Sequence, residues 1–175
     1  MTFKELALFL LIAGTIFTAC NGNAVIKKKD VKTAPGEELI QTESAKTGQF
    51  SFDGLAYTGK LSSQYLDNKP GGKFSVLCQQ DLDNNMFALF QIVFPTEAEA
   101  AGAGSFKPAE GFYSLEKGEA HIAVSGYGKI GDKEYTTQDK STGTIEVKNR
   151  VLTITNLQLF TSDGKTNRVD ASISF

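Results

Sequence analysis

Few side chains in this 175-residue sequence could carry out chemistry, and their spacing limits what that chemistry would be. Its single histidine, His121, sits in Ala120-His121-Ile122-Ala123-Val124, on the strand face opposite Ile122 and Val124. A serine or cysteine nucleophile needs a base that a third group orients. No Gly-x-Ser-x-Gly, His-Glu-x-x-His or phosphate-loop pattern supplies one. His121 is therefore expected as an exposed strand residue, and no residue is assigned a catalytic role. Glycoside hydrolysis needs only a pair of carboxylates, and Glu97, Glu99, Glu110, Glu116 and Glu119 are available. They fall in expected turns and loops, where acids simply keep a surface soluble. Carbohydrate platforms favour tryptophan, which the chain lacks; Tyr57, Tyr65, Tyr113, Tyr127 and Tyr135 are weak substitutes. Asp81-x-Asp83-x-Asn85 opens like a calcium loop, but an EF-hand needs glycine at its sixth position and glutamate at its twelfth. Met86 and Ile92 stand there, so a hairpin turn is expected, with no metal site and no cofactor.

The remaining reactive groups are the two cysteines, Cys20 and Cys78. Lys4 precedes the apolar run Leu6-Ala7-Leu8-Phe9-Leu10-Leu11-Ile12-Ala13, and small residues lead on to Thr18-Ala19-Cys20. That is the layout of a secretory signal. The uncharged stretch Leu6 to Ala19 covers 14 residues, short for a helix that must cross roughly 30 Å of hydrocarbon. Residues 1–19 are expected to be a cleaved signal peptide. Cys78 lies within an apolar strand pattern, where an unpaired cysteine acts as a small buried hydrophobe.

Phe17-Thr18-Ala19-Cys20 resembles a bacterial lipobox, with Phe17 where leucine is commoner. The resemblance implies cleavage before Cys20 and a diacylglycerol on its thiol, which makes Cys20 the lipidation site and the bilayer a partner. One acyl chain binds a membrane marginally, whereas two or more anchor stably. Residues 20–48 then read as a flexible tether, with Lys27-Lys28-Lys29-Asp30 and Pro35-Gly36-Glu37-Glu38 in a segment without periodicity. Its 28 residues after Cys20 would reach roughly 30 Å as a coil. Surface-displayed lipoproteins of some bacteria carry acids just after the cysteine. Asn21-Gly22-Asn23 followed by lysines points instead to an outer-membrane location facing the periplasm. With 18 basic and 20 acidic residues, nucleic acid is excluded as the main partner.

From residue 49 to 175 the dominant signal is period two. In Gly143-Thr-Ile-Glu-Val-Lys-Asn-Arg-Val-Leu-Thr-Ile-Thr155, a turn at Asn149-Arg150 sets Val147 against Leu152 and Ile145 against Ile154. A loop at Ser162-Asp163-Gly164 sets Leu157 against Val169. Leu152 and Ile154 are then out of phase unless a β-bulge at Thr155-Asn156 restores Ile154 to Ala171 and Leu152 to Ile173. A loop at Asp83-Asn84-Asn85 pairs Phe74, Val76 and Cys78 with Phe94, Ile92 and Phe90. Phe87, Leu89 and Val93 are left on the other face of that strand, which must be covered or bind something. They are the candidate binding face. Further hairpins are expected between 110–115 and 120–128, and between 127–130 and 133–137. One or two opening strands are expected over 50–66, with bends at Gly54 and Gly59. Gly102 and Gly104 limit Thr96 to Lys107 to a helical turn.

This pattern predicts an all-β domain of eight to ten short strands joined by hairpins, as an antiparallel β-sandwich or a flattened up-and-down barrel, with a closed lipocalin-like barrel as the alternative. The lipobox, tether, Gly143-to-Val147 and Val151-to-Ile154 strands and closing Ser172-Ile173-Ser174-Phe175 together resemble small β-rich bacterial lipoproteins of unassigned function, abundant in Bacteroidetes. The resemblance implies an envelope lipoprotein and carries over no functional residues. The expected role is non-enzymatic: an anchored domain that binds a protein partner or is structural. The alternatives are a barrel carrying a small apolar ligand near Phe87, Leu89 and Val93, and a hydrolase.

Overall fold

A computed structural model describes residues 46–175, except 129 and 132. The signal peptide 1–19, Cys20 and the tether up to residue 45 lie outside the described residues. The chain runs β1 (Thr47–Phe52), β2 (Leu55–Tyr65), β3 (Phe74–Asp81), β4 (Phe87–Phe94), α1 (Glu97–Ala101), β5 (Gly104–Ser105), β6 (Lys107–Pro108), β7 (Glu119–Tyr127), β8 (Tyr135–Thr136), β9 (Thr144–Lys148), β10 (Val151–Phe160) and β11 (Thr166–Ser174). Eight of these strands close a ring in the order β11-β1-β2-β3-β4-β7-β8-β10, with β10 pairing back to β11. The structure thus takes the closed-barrel alternative. The N-terminal strand β1 pairs with both β2 and the C-terminal β11, which removes the sheet edges a sandwich would leave. Pairing is antiparallel throughout, apart from the two-residue parallel contact of β6 with β7.

Several local expectations hold residue by residue. Val147 faces Leu152 and Ile145 faces Ile154 across a turn at Asn149 and Arg150, with φ of 53° and 60°. The register of β10 on β11 shifts between Ile154 and Leu157, where Asn156 has φ 52°. Ile154 then meets Ala171, and Leu152 meets Ile173. Phe74, Val76 and Cys78 lie opposite Phe94, Ile92 and Phe90. The intervening turn is a short 3-10 segment over Asp83–Asn85, while Asp81 of the calcium-like pattern ends β3. The Asp53-Gly54 turn separates β1 from β2, and α1 is the single turn expected, its start capped by Thr96 Oγ1 accepting from Glu99 N–H.

Other expectations need correction. Thr47 and Gly48 belong to β1 and not to the tether: Gly48 pairs with Gly59, where strands β1 to β3 approach too closely for a side chain. Gly59 is accordingly no bend; it lies within β2 against the backbone of Gln79. Residues 110–115 form no strand. The edge of β7 they would have used is taken by Ala109 N–H bonding to Ala120 and Thr137 N–H bonding to Ile122. Nor, among the described residues, do 127–130 pair with 133–137. Gly128, at φ 104° against Met86, ends β7, and β8 pairs higher up, with Ala123 and Val124.

The barrel interior is one continuous apolar core. Phe90, Phe94, Ile92, Ile122, Leu152, Leu157 and Ile173 are fully enclosed, and Phe50, Phe52 and Tyr57 fill the β1–β2 side. Cys78 is a free, fully buried thiol in this core, and burial pushes its pKa up. Ala100 of α1 joins the core where β4 ends.

Candidate functional site

The outward side chains of β4 have unequal surroundings. Val93 lies in a row with Ser75 of β3 and His121 of β7, and all three are buried although they point away from the barrel. Two rows away Leu89 is half-buried between Gln79 and Ser125. Phe87 is half-buried opposite Tyr127, which is 57% exposed. Of the three face residues read from the sequence, the structure therefore leaves Phe87 and Leu89 open beside Tyr127 and encloses Val93.

His121 is 7% exposed, not the open strand histidine its alternation implied. Ala109, Phe112 and Thr137 stand against its ring. His121 Nδ1 lies 3.1 Å from the Ala109 carbonyl and 3.2 Å from Thr137 Oγ1, so the proton on Nδ1 donates to that carbonyl. Thr137 Oγ1 in turn accepts from Ile122 N–H at 3.0 Å and donates to the Ala109 carbonyl at 2.8 Å. The Phe112 ring stands 5.9 Å from the imidazole. Burial lowers the His121 pKa, while the Ala109 carbonyl and the Glu110 charge pull the other way. This is a buried polar clasp, in which the Thr137 hydroxyl beside the histidine is already committed to the Ala109 carbonyl.

Two clefts mark the outer surface. One, of about 520 Å3, is lined by Ala109, Glu110, Gly111, Ser114, Glu116, Glu119 and Asp139. Within it Glu110 N–H donates to Asp139 Oδ1 at 3.3 Å and Glu116 N–H donates to Glu119 Oε2 at 2.9 Å. The sequence supplied three of these acids as candidates; Asp139 joins them only through folding. Glu97 and Glu99 are held elsewhere. Glu97 accepts from Tyr65 OH and Arg150, which lowers its pKa, and Glu99 Oε2 accepts from Gly118 N–H at 2.8 Å. The second cleft, of about 350 Å3, lies over β1, β10 and β11, where Arg168 and Asp170 brace the bulge at Asn156. Among the described residues, no three His, Cys, Asp or Glu side chains are placed to hold a metal ion.

Thr137 and Phe112 are the functional-site residues that alternation could not reveal. Each acts on a strand from a segment outside it, and neither has a sequence signal beyond its own type. The fold and its surface define a closed antiparallel β-barrel with a filled interior and polar outer clefts. No family model matches the chain, and no curated protein or solved structure matches it.

Proposed function

We propose that the chain is a bacterial envelope lipoprotein, held by acyl chains on Cys20 at the outer membrane and facing the periplasm. Its barrel is a non-catalytic module that binds a protein partner or serves a structural role. The observation that carries the role of the domain is the contrast between its two surfaces. The interior is filled by aromatic and aliphatic side chains, while apolar Phe87 and Leu89 are left half-open outside it. A partner would therefore meet the outer face. The ligand-carrier alternative needs room inside the barrel, and the two clefts described lie outside it.

Anchoring is tested by labelled palmitate incorporation in cells expressing the wild-type chain or Cys20→Ala. Label on the wild type and none on the variant supports the lipoprotein reading. Label on neither, or equally on both, removes it.

A second reading, hydrolysis, is favoured by the gathering of Glu110, Glu116, Glu119 and Asp139 in one cleft. Paired carboxylates are the minimum that glycoside cleavage requires. Turnover of aryl glycosides that is lost in both Glu116→Gln and Glu119→Gln would establish it.

A further inference from the structure

The two ends of the barrel differ in charge. The chain enters β1 from Lys46, and Gln49 lies opposite Ser172, so β1 starts where β11 ends. Strand β2 runs back antiparallel to β1, which puts the β2–β3 loop, residues 66–73, at that same entry end. Val151 lies opposite Ser174 and Lys148, so the Asn149-Arg150 turn is there too. A contact ties these elements together: Glu97 of α1 accepts from Tyr65 OH at the end of β2 and from Arg150 at 3.2 Å.

Lys46, Lys69 and Lys148 are exposed at the entry end and Lys73 is half-buried; among the described residues none of them makes an ion pair. The acids beside them are engaged within the fold. Glu97 is held as above, Glu99 accepts from Gly118 N–H, and Asp67 accepts from Lys69 N–H at 3.4 Å. The far end instead exposes Asp53, Asp81, Asp83 and Asp163, and of its lysines Lys133 is already paired with Asp163. The acidic cleft of Glu110, Glu116, Glu119 and Asp139 lies around the start of β7, which stands across the eight-strand ring from β1. Unpaired positive charge is thus concentrated on the β1 side of the entry end.

We propose that this side of the entry end docks on an anionic bilayer surface through Lys46, Lys69, Lys73 and Lys148. The proposal rests on the envelope reading above and adds an orientation to it, with the entry end down and the far end away from the membrane. A lysine held against anionic headgroups raises occupancy about fivefold, and the attraction dies away within about 8 Å at physiological salt. Only ammonium groups free of a protein carboxylate bring that attraction in full. Lys27-Lys28-Lys29 in the preceding sequence carry charge of the same sign. Exposed Pro70, and Val151, 38% exposed and paired with Lys148, give this surface apolar groups to set at the headgroup boundary. The aspartates of the far end are repelled, so attraction and repulsion select one orientation.

The full chain in lipid nanodiscs tests this, through NMR relaxation caused by a gadolinium-chelate headgroup lipid. In discs of phosphatidylglycerol and phosphatidylcholine, amides of 66–73 and 148–150 should relax faster than those of 53–54 and 162–164. In phosphatidylcholine alone, or at high salt, that contrast should fall at least about fivefold. Lys69→Gln/Lys148→Gln should cut the docked population at least about tenfold, whereas Lys133→Gln/Lys165→Gln, the same charge change at the far end, should leave it within about twofold. Equal contrast in both lipid mixtures overturns the proposal, as does an equal loss in the two double variants. A domain that brings neither end to the anionic disc overturns it too, and leaves the entry end to a protein partner. The palmitate test fails separately: label without contrast removes the docking, and contrast without label removes only the acyl anchor.

Discussion

The two ends of the outer face of β4 make an informative pair. At one end Val93 is enclosed with Ser75 and His121; at the other Phe87 and Leu89 are half open. Both ends stand on the same strand, with the same alternation and the same flanking strands β3 and β7. One difference is the set of groups from outside the sheet that meet His121. Residues 109–118 reach the His121 end, where Ala109 accepts from both His121 and Thr137. Alternation thus decides which side chains leave the barrel, and at His121 groups from outside the sheet close over one that did.

Three substitutions separate the ends. Thr137→Val should be the most damaging, about 3 kcal/mol in urea unfolding, because it strips a partner from Ile122 N–H and from the Ala109 carbonyl inside a closed site. A loss below about 0.5 kcal/mol would mean the clasp does not hold the closed end. Val93→Ala should cost about 2 kcal/mol, through two lost methyl groups and the space they leave. Leu89→Ala, a larger truncation, should cost less than about 1 kcal/mol because its site is already half wet. Equal losses at 93 and 89 would erase the distinction between covered and open ends.

The smallest effect is expected at the exposed ion pair of Lys133 and Asp163. Lys133 and Thr161 hydrogen-bond Asp163 and hold its pKa at about 2. A depressed carboxyl stabilises the fold above its unfolded pKa and loses that contribution as pH falls toward 2. Both partners of the ion pair are exposed, and exposed pairs contribute little. Asp163→Asn should therefore leave the urea midpoint at pH 7 unchanged within error, in contrast to Thr137→Val. A clear drop would show that exposure does not rank these clusters.

The β9–β10–β11 region was readable in detail because its cues are local. Asn149-Arg150 and Ser162-Asp163-Gly164 define the turns, and the phase error between Ile154 and Leu157 has one repair, a bulge. The β7 region was misread because its partners are remote. Residues 110–115 looked like a strand beside β7, yet Ala109 and Thr137 occupy that edge from either side. His121 looked exposed for the same reason. Phe87, Leu89 and Val93 were identified as an apolar face, but nothing in their order distinguishes the open pair from the enclosed one.

The order of apolar and polar residues by itself determined the long strands around β3–β4 and β9–β11 and three hairpin registers, since a period of two sends alternate side chains to one side wherever the strand is placed. Tertiary structure alone decided that β1 would join β11 and close the ring, and that Ala109, Phe112 and Thr137 would stand against His121. Those outcomes depend on which distant backbone edge is free and how closely chains approach, as Gly48 shows against Leu61, Ile173 and Cys78. Such long-range geometry leaves no periodic trace along a single chain.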